Sequence, residues 1–127
     1  MLIGDFFTID QVTEKEDEPL FLTSLNSNHE IYKGHFPGDP ICPGVCNIQT
    51  IRECAEKIIG KKLKINTISH CKFAALITPD KTPRLLISIR LTPKDDETCT
   101  ITSSITSPDA SALYLEYKGE YTIERTN

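Results

Sequence analysis

Between Gly44 and Ile59 apolar residues return at Val45, Ile48, Ile51, Ala55, Ile58 and Ile59, a helical spacing along one stripe, with Asn47, Arg52, Glu53, Glu56 and Lys57 largely off it. No other segment carries that period convincingly. Pro43 stands just before the helix, where a missing N–H goes unused, and Gly60 with Lys61 and Lys62 supplies a stop whose charge suits the helix dipole. Toward the C-terminus the apolar residues alternate instead. In PRLLISIRLTP, Leu85, Ile87, Ile89 and Leu91 alternate with Leu86, Ser88, Arg90 and Thr92. In ETCTITSSIT, Cys99, Ile101 and Ile105 oppose Thr98, Thr100, Thr102 and Ser104, and ASALYLEYKGEYTIE sets Leu113, Leu115 and Tyr117 on one face. The runs LKINTI, CKFAALIT and, ahead of the helix, PLFLTSLN bring the expected number to about six strands.

One helix followed by three or more consecutive strands excludes a doubly wound α/β fold, because parallel strands need repeated crossover helices. The pattern predicts an α+β fold with an antiparallel sheet curled round the helix at about 44–59 and its free edge covered by a second copy, a homodimer. The 127 residues fit one domain, 1–127, and the acidic run from Glu14 to Glu18 reads as a solvated loop between two early strands.

Charge and composition remove several classes of function. Fourteen Lys and Arg against eighteen Asp and Glu leave a net charge of −4, which suits no phosphate backbone, so nucleic acid is not expected as a partner. No window approaches the roughly 18 apolar residues of a membrane span, and MLIGDFFTID lacks the order of a signal peptide; the expectation is a cytoplasmic protein without membrane insertion. The five cysteines are odd in number and scattered, which points to reduced thiols. With no CxxC pair, and with Pro43 and Gly44 between Cys42 and Cys46, no metal site is expected.

Unusual residues concentrate in GHFPGDPICPGV, residues 34–45, where three prolines and three glycines lead into the helix. A rigid loop feeding a helix N-terminus offers backbone N–H groups to an anionic oxygen. With the imidazole of His35 beside it, this is the minimum equipment for removing a proton next to a carbonyl, the enolate being held by the Gly44 N–H. The plainer reading is a structural loop whose histidine is satisfied by backbone. Asp39 sits in Gly-Asp-Pro, ordinary turn chemistry. Tyr32, Phe36 and Phe73 fit either an acyl tunnel or plain core, His29 and His70 read as exposed or structural, and Cys42 and Cys46 lack any partner base except His35.

The same stretch resembles the GHFPG-x-P-x-x-PG-V signature of the hotdog-fold β-hydroxyacyl-[acyl carrier protein] dehydratases, agreeing at Gly34, His35, Phe36, Pro37, Gly38, Pro40, Pro43, Gly44 and Val45. CKFAALITPD is similar to a second family segment at Lys72, Phe73, Pro79 and Asp80, and departs from it at Ala74, Ala75 and Leu76. The resemblance implies a hotdog fold and elimination of water from a 3-hydroxyacyl thioester to give the trans-2-enoyl thioester, with no cofactor. His35 would be the base, its tautomer set by a carbonyl near Ile41. Gly44 N–H would receive the thioester oxygen, with Ile41, Val45, Phe36 and Phe73 lining the substrate site. The family's acidic helix residue, supplied across the dimer interface, falls on Gln49.

A glutamine does not ionise, so it cannot exchange a proton as a carboxylate does. Three explanations compete: Glu53, one turn on, takes over; the protein is a weak or inactive subunit binding acyl thioester or acyl carrier protein; or it pairs with a homologous active dehydratase. Glu53 itself reads as facing solvent or a neighbouring charge. Thioester hydrolysis is a further alternative, disfavoured because Gln49 supplies no acid or base for water. If the partner is an acidic acyl carrier protein bearing a phosphopantetheine-linked chain, docking would fall to Lys33, Lys72 and Arg84, with Lys61 and Lys62 less suited. The assembly expected is a dimer or a higher assembly of dimers.

Overall fold

The computed structural model describes residues 2–34 and 41–125. Six strands and two helices follow one another as β1 (Phe7–Thr13), β2 (Leu20–Leu25), α1 (Ile31–Gly34), α2 (Gly44–Ile59), β3 (Leu63–Phe73), β4 (Arg84–Pro93), β5 (Thr98–Thr106) and β6 (Leu113–Ile123). All strands pair antiparallel in one sheet of order β1-β2-β4-β5-β6-β3. β3 therefore lies at the opposite edge from β1 and β2, and α2 is the element that links the two sides.

The register explains the core. Val12, Phe21, Ile87, Ile105, Leu115 and Phe73 stand opposite one another in turn, an apolar row crossing all six strands. Its four inner members are buried, and its two ends, Val12 and Phe73, are exposed. The next rows along the sheet are Ile89, Ser103, Tyr117, Cys71; then Leu91, Ile101, Gly119, Ile68; then Pro93, Cys99, Tyr121, Ile65. Directly opposed side chains share a face, so this is the face that meets Ile51, Cys54 and Ala55 of α2 in the buried cluster. At Gly119 the rings of Tyr117 and Tyr121 close over the missing side chain and their hydroxyls bond at 2.6 Å. A Cβ there would stand 2.6 Å from Tyr117 Oη.

The alternating runs at β4, β5 and β6 form as the sequence predicts, and residues 14–19 connect β1 to β2. Two expectations are corrected. LKINTI and CKFAALIT are not two strands: residues 63–73 form one strand, residues 74–77 leave it, and the sixth strand is Phe7–Thr13. Register shifts at Ile65/Thr67 and Ile68/His70 break the two-residue period that would have marked β3 as continuous.

The second correction concerns α2. Its bounds are those of the periodic stripe, and Gly60 ends it at φ 73°, with its N–H on Glu56 O at 2.8 Å. The buried side is rotated from the stripe, however: Cys46, Asn47, Thr50, Ile51, Glu53, Cys54 and Ala55 are buried, whereas Val45 is 75% exposed and Ile58 is also exposed. Polar members go inside because each has a partner. Thr50 Oγ1 donates to Cys46 O at 2.8 Å, and Asn47 Oδ1 accepts from Cys42 Sγ at 2.9 Å.

Candidate functional site

Two long-range contacts fix the start of α2. The Cys42 N–H donates to Ile77 O at 2.7 Å, tying the approach to the helix to the segment after β3. Pro43 then takes the N-cap position at φ −64°, ψ 140° with no side-chain cap, and its carbonyl accepts from Cys46 and Asn47 N–H at 3.0 and 3.2 Å. Among the described residues no side chain caps the N–H groups of the first turn, and the positive end of the helix can take another acceptor.

Over this end lies Phe73, the last residue of β3, and this is the second contact. A Cβ built on Gly44 would stand 2.7 Å from Phe73 Cζ and 2.9 Å from Cε1, so the ring occupies the volume that any side chain at residue 44 would need. Of the residues expected to line the substrate site, Gly44 and Phe73 are thus brought together, Val45 projects outward beside them on the first turn, and Ile41 is half-buried. His35, Phe36 and Asp39 lie outside the described residues.

Gln49 is half-buried on α2, and its Nε2 donates to Glu53 Oε2 at 3.0 Å. Of the two settings its sequence position suggested, solvent or a neighbouring charge, Glu53 does not take the first: it is 4% exposed and held by backbone. Leu2 N–H lies 2.9 and 2.8 Å from its two oxygens, and Ile3 N–H donates to Oε1 at 2.9 Å. Burial pushes this carboxyl up, but the N–H groups of Ile3 and Leu2 and the Gln49 amide outweigh it and hold the group below its ordinary 4.5. An ionised, fully engaged carboxylate is no proton donor near neutral pH, which removes Glu53 as the replacement acid. The i, i+4 spacing of Gln49 and Glu53 was legible; the partner segment, fifty residues away in sequence, was not.

The remaining candidates fall into place around this frame. Burial pushes the Cys42 thiol up to about 12, with Cys46 adding to the shift, so Cys42 is a packing group and not a nucleophile. His29 is structural: its Nε2 meets Asp5 Oδ2 at 3.1 Å, its Nδ1 accepts from Ile31 N–H at 3.1 Å, and Phe6 packs edge-on against the ring. His70 is exposed, 3.8 Å from Glu116. Tyr32 is core, stacked on Phe6. Lys33 and Lys72 are exposed, and Lys72 stands opposite Glu116 across the β3–β6 ladder. Arg84 is engaged with Asp10 at 3.2 Å. No cluster of three or more metal-ligating side chains occurs among the described residues, and none of their helices is long and apolar enough to cross a membrane.

Comparison with known proteins places this arrangement. A 3-hydroxyacyl-[acyl-carrier-protein] dehydratase FabZ of Lactobacillus helveticus is 32% identical over 73 residues, 52% of this chain and 49% of that protein. The FabZ of Herpetosiphon aurantiacus is 29% identical over 93 residues, 66% of each. The chain thus spans about half to two thirds of the length of these relatives. Among solved structures, the dehydratase heterocomplex ApeI:P of Xenorhabdus doucetiae superposes with a TM-score of 0.67 at 19% identity, covering 90% of this chain and 96% of that one. A hypothetical thioesterase of Streptococcus pneumoniae, solved with coenzyme A, gives 0.65 at 10% identity over 95% and 88%. These likenesses establish the hotdog fold. The family model of ApeI-like proteins, described as ApeI dehydratase, matches residues 11–110, and the chain belongs to that family.

Proposed function

We propose that the protein acts on 3-hydroxyacyl thioesters as a dehydratase, removing the α-proton and the β-hydroxyl to leave the trans-2-enoyl thioester. The observation that carries the reading is the ApeI-like dehydratase match over residues 11–110. The uncapped helix start at Gly44, roofed by the Phe73 ring, supports it as a seat for a thioester oxygen. In this reading His35 takes the α-proton, Gly44 N–H stabilises the enolate oxygen, and Gln49 binds the β-hydroxyl. One oxyanion donor is typically worth about 2.7–4 kcal/mol. Loss of a true acid at residue 49 slows the reaction by about 10²–10⁴-fold. The acyl chain arrives on an acidic acyl carrier protein, met by Lys33 and Lys72; Arg84, paired with Asp10, contributes less. The whole chain is read as one hotdog domain working in the cytoplasm without a cofactor.

Pairing of subunits is part of the same reading. Each inner-face row of the sheet ends on β3 in a side chain that the sheet does not cover: Ile65 is 39% exposed, Ile68 45% and Phe73 56%, with Cys71 half-buried between them. An eleven-residue edge strand with open apolar row ends is a template for another strand. The structural neighbour from Xenorhabdus doucetiae is a heterocomplex, which makes a second, homologous chain carrying a carboxylate at the helix position the alternative to a homodimer. A weak or inactive acyl-binding subunit is the corresponding second function.

The test is turnover of a 3-hydroxyacyl thioester on acyl carrier protein by wild type, His35→Ala and Gln49→Ala, followed through the enoyl product. Turnover by wild type that disappears in His35→Ala establishes the dehydratase. No turnover by wild type alone, with activity appearing when a homologous chain is added, establishes the heteromeric subunit.

A further inference from the structure

The bond between Gln49 and Glu53 settles which end of an amide faces which way. A carboxylate held ionised offers only acceptors, so the group 3.0 Å from Glu53 Oε2 must be the amide nitrogen, and Gln49 Oε1 occupies the opposite branch of the same plane. Left to itself, a glutamine on a helix surface turns its amide either way. Here three backbone-to-carboxylate contacts from Leu2 and Ile3 hold Glu53, and Glu53 holds Gln49.

We infer that Glu53 is a positioning residue that locks the Gln49 amide with Oε1 turned away from Glu53, making residue 49 a hydrogen-bond acceptor that selects acyl chains bearing a 3-hydroxyl group. This rests on the reading of Gln49 as a substrate-site residue. Donation to a carboxylate draws electron density toward Oε1 and strengthens it as an acceptor. The chemistry then discriminates: a 3-hydroxyl donates to Oε1, whereas a saturated C3 or a 3-oxo group leaves that oxygen unpartnered. A site built around one such bond rejects the analogue lacking it. Glu53 touches no substrate; it acts through residue 49.

Binding of a 3-hydroxyacyl pantetheine thioester and of its saturated counterpart to wild type, Glu53→Gln and Gln49→Leu tests this. Wild type should prefer the hydroxyacyl compound by about tenfold, the worth of one hydrogen bond. Glu53→Gln, whose amide can donate or accept and so no longer fixes its neighbour, should bring the preference to within about threefold, with affinity for the saturated thioester unchanged. Gln49→Leu should abolish it. Full preference in Glu53→Gln but none in Gln49→Leu would overturn the positioning role and leave the site reading intact. Preference retained in Gln49→Leu, or no binding of either thioester by wild type, would overturn the site reading with it. If Glu53→Gln does not fold, the wild-type amide spectrum decides: a side-chain N–H pair absent from Gln49→Leu should show one proton shifted downfield and slow to exchange. A pair at free-amide positions refutes the lock.

Discussion

The ring of Phe73 fills the space where a side chain on Gly44 would begin, so the end of the edge strand and the start of the helix are packed through the absence of a Cβ. The glycine therefore has a packing reason beside any role for its N–H. Because Phe73 is more than half exposed, its ring can swing outward. Gly44→Ala should cost under about 1 kcal/mol in urea unfolding, with helix propensity offsetting the contact, while displacing the ring and lowering any thioester affinity.

Gly119→Ala should behave differently. Its Cβ would meet Tyr117 Oη at 2.6 Å and Tyr121 Cε1 at 3.1 Å, and both rings are buried and bonded to each other. Neither can move outward without opening the core. The expected loss is about 1–3 kcal/mol, read as a lower urea midpoint with unchanged slope.

Acid should weaken the protein partly through Glu53. A carboxyl whose folded pKa lies below its ordinary 4.5 contributes stability that is complete above that value and is lost as pH falls through the folded one. Glu53→Gln should be less stable than wild type at pH 7, by about 1.5–3 kcal/mol for a hydrogen bond to a charged group. The gap should narrow below pH 4.5 in unfolding curves taken across that range. A gap independent of pH would show that the charge contributes nothing.

Gln49→Glu would set a second carboxylate in the place of an amide 3.0 Å from Glu53. Like charges at that distance keep one proton between them. The variant should be less stable at pH 7.5 than at pH 5.5, the reverse of the dependence expected for Glu53 in wild type. Gln49→Glu combined with Glu53→Gln should remove the like-charge pair, and with it the fall in stability between pH 5.5 and 7.5, while keeping the loss expected for Glu53→Gln alone.

A charge in the exposed edge tests the pairing of subunits. Ile68→Lys places an ammonium group in the middle of β3, where the side chain is already 45% exposed, so the isolated fold should survive. Sedimentation should show a lighter species than wild type. An unchanged assembly would move the interface away from β3.

The sequence announces β4 plainly, since Leu85, Ile87 and Ile89 alternate without a break and all three are buried. β3 hides because its two bulges shift the period just where the run would need to continue. The helix bounds were legible from Pro43 and Gly60. Its buried side was not, because burying Asn47 depends on the Cys42 thiol and burying Glu53 on N–H donors of Leu2 and Ile3, and partners outside the helix leave no trace in its spacing. At the candidate site, the resemblance pointed to Gly44, Gln49 and Phe73, and the structure packs Phe73 against Gly44 and bonds Gln49 to Glu53. It gave no hint that Glu53 would be anchored by the chain's own beginning.

The tyrosine pair over Gly119 has a practical consequence. The chain contains no Trp and four Tyr, so its ultraviolet emission comes from phenols alone, and two of those four are Tyr117 and Tyr121, buried and joined hydroxyl to hydroxyl. When β6 separates from β5 both phenols enter water together, so this strand pair carries its own optical probe and its opening can be followed in the unlabelled protein.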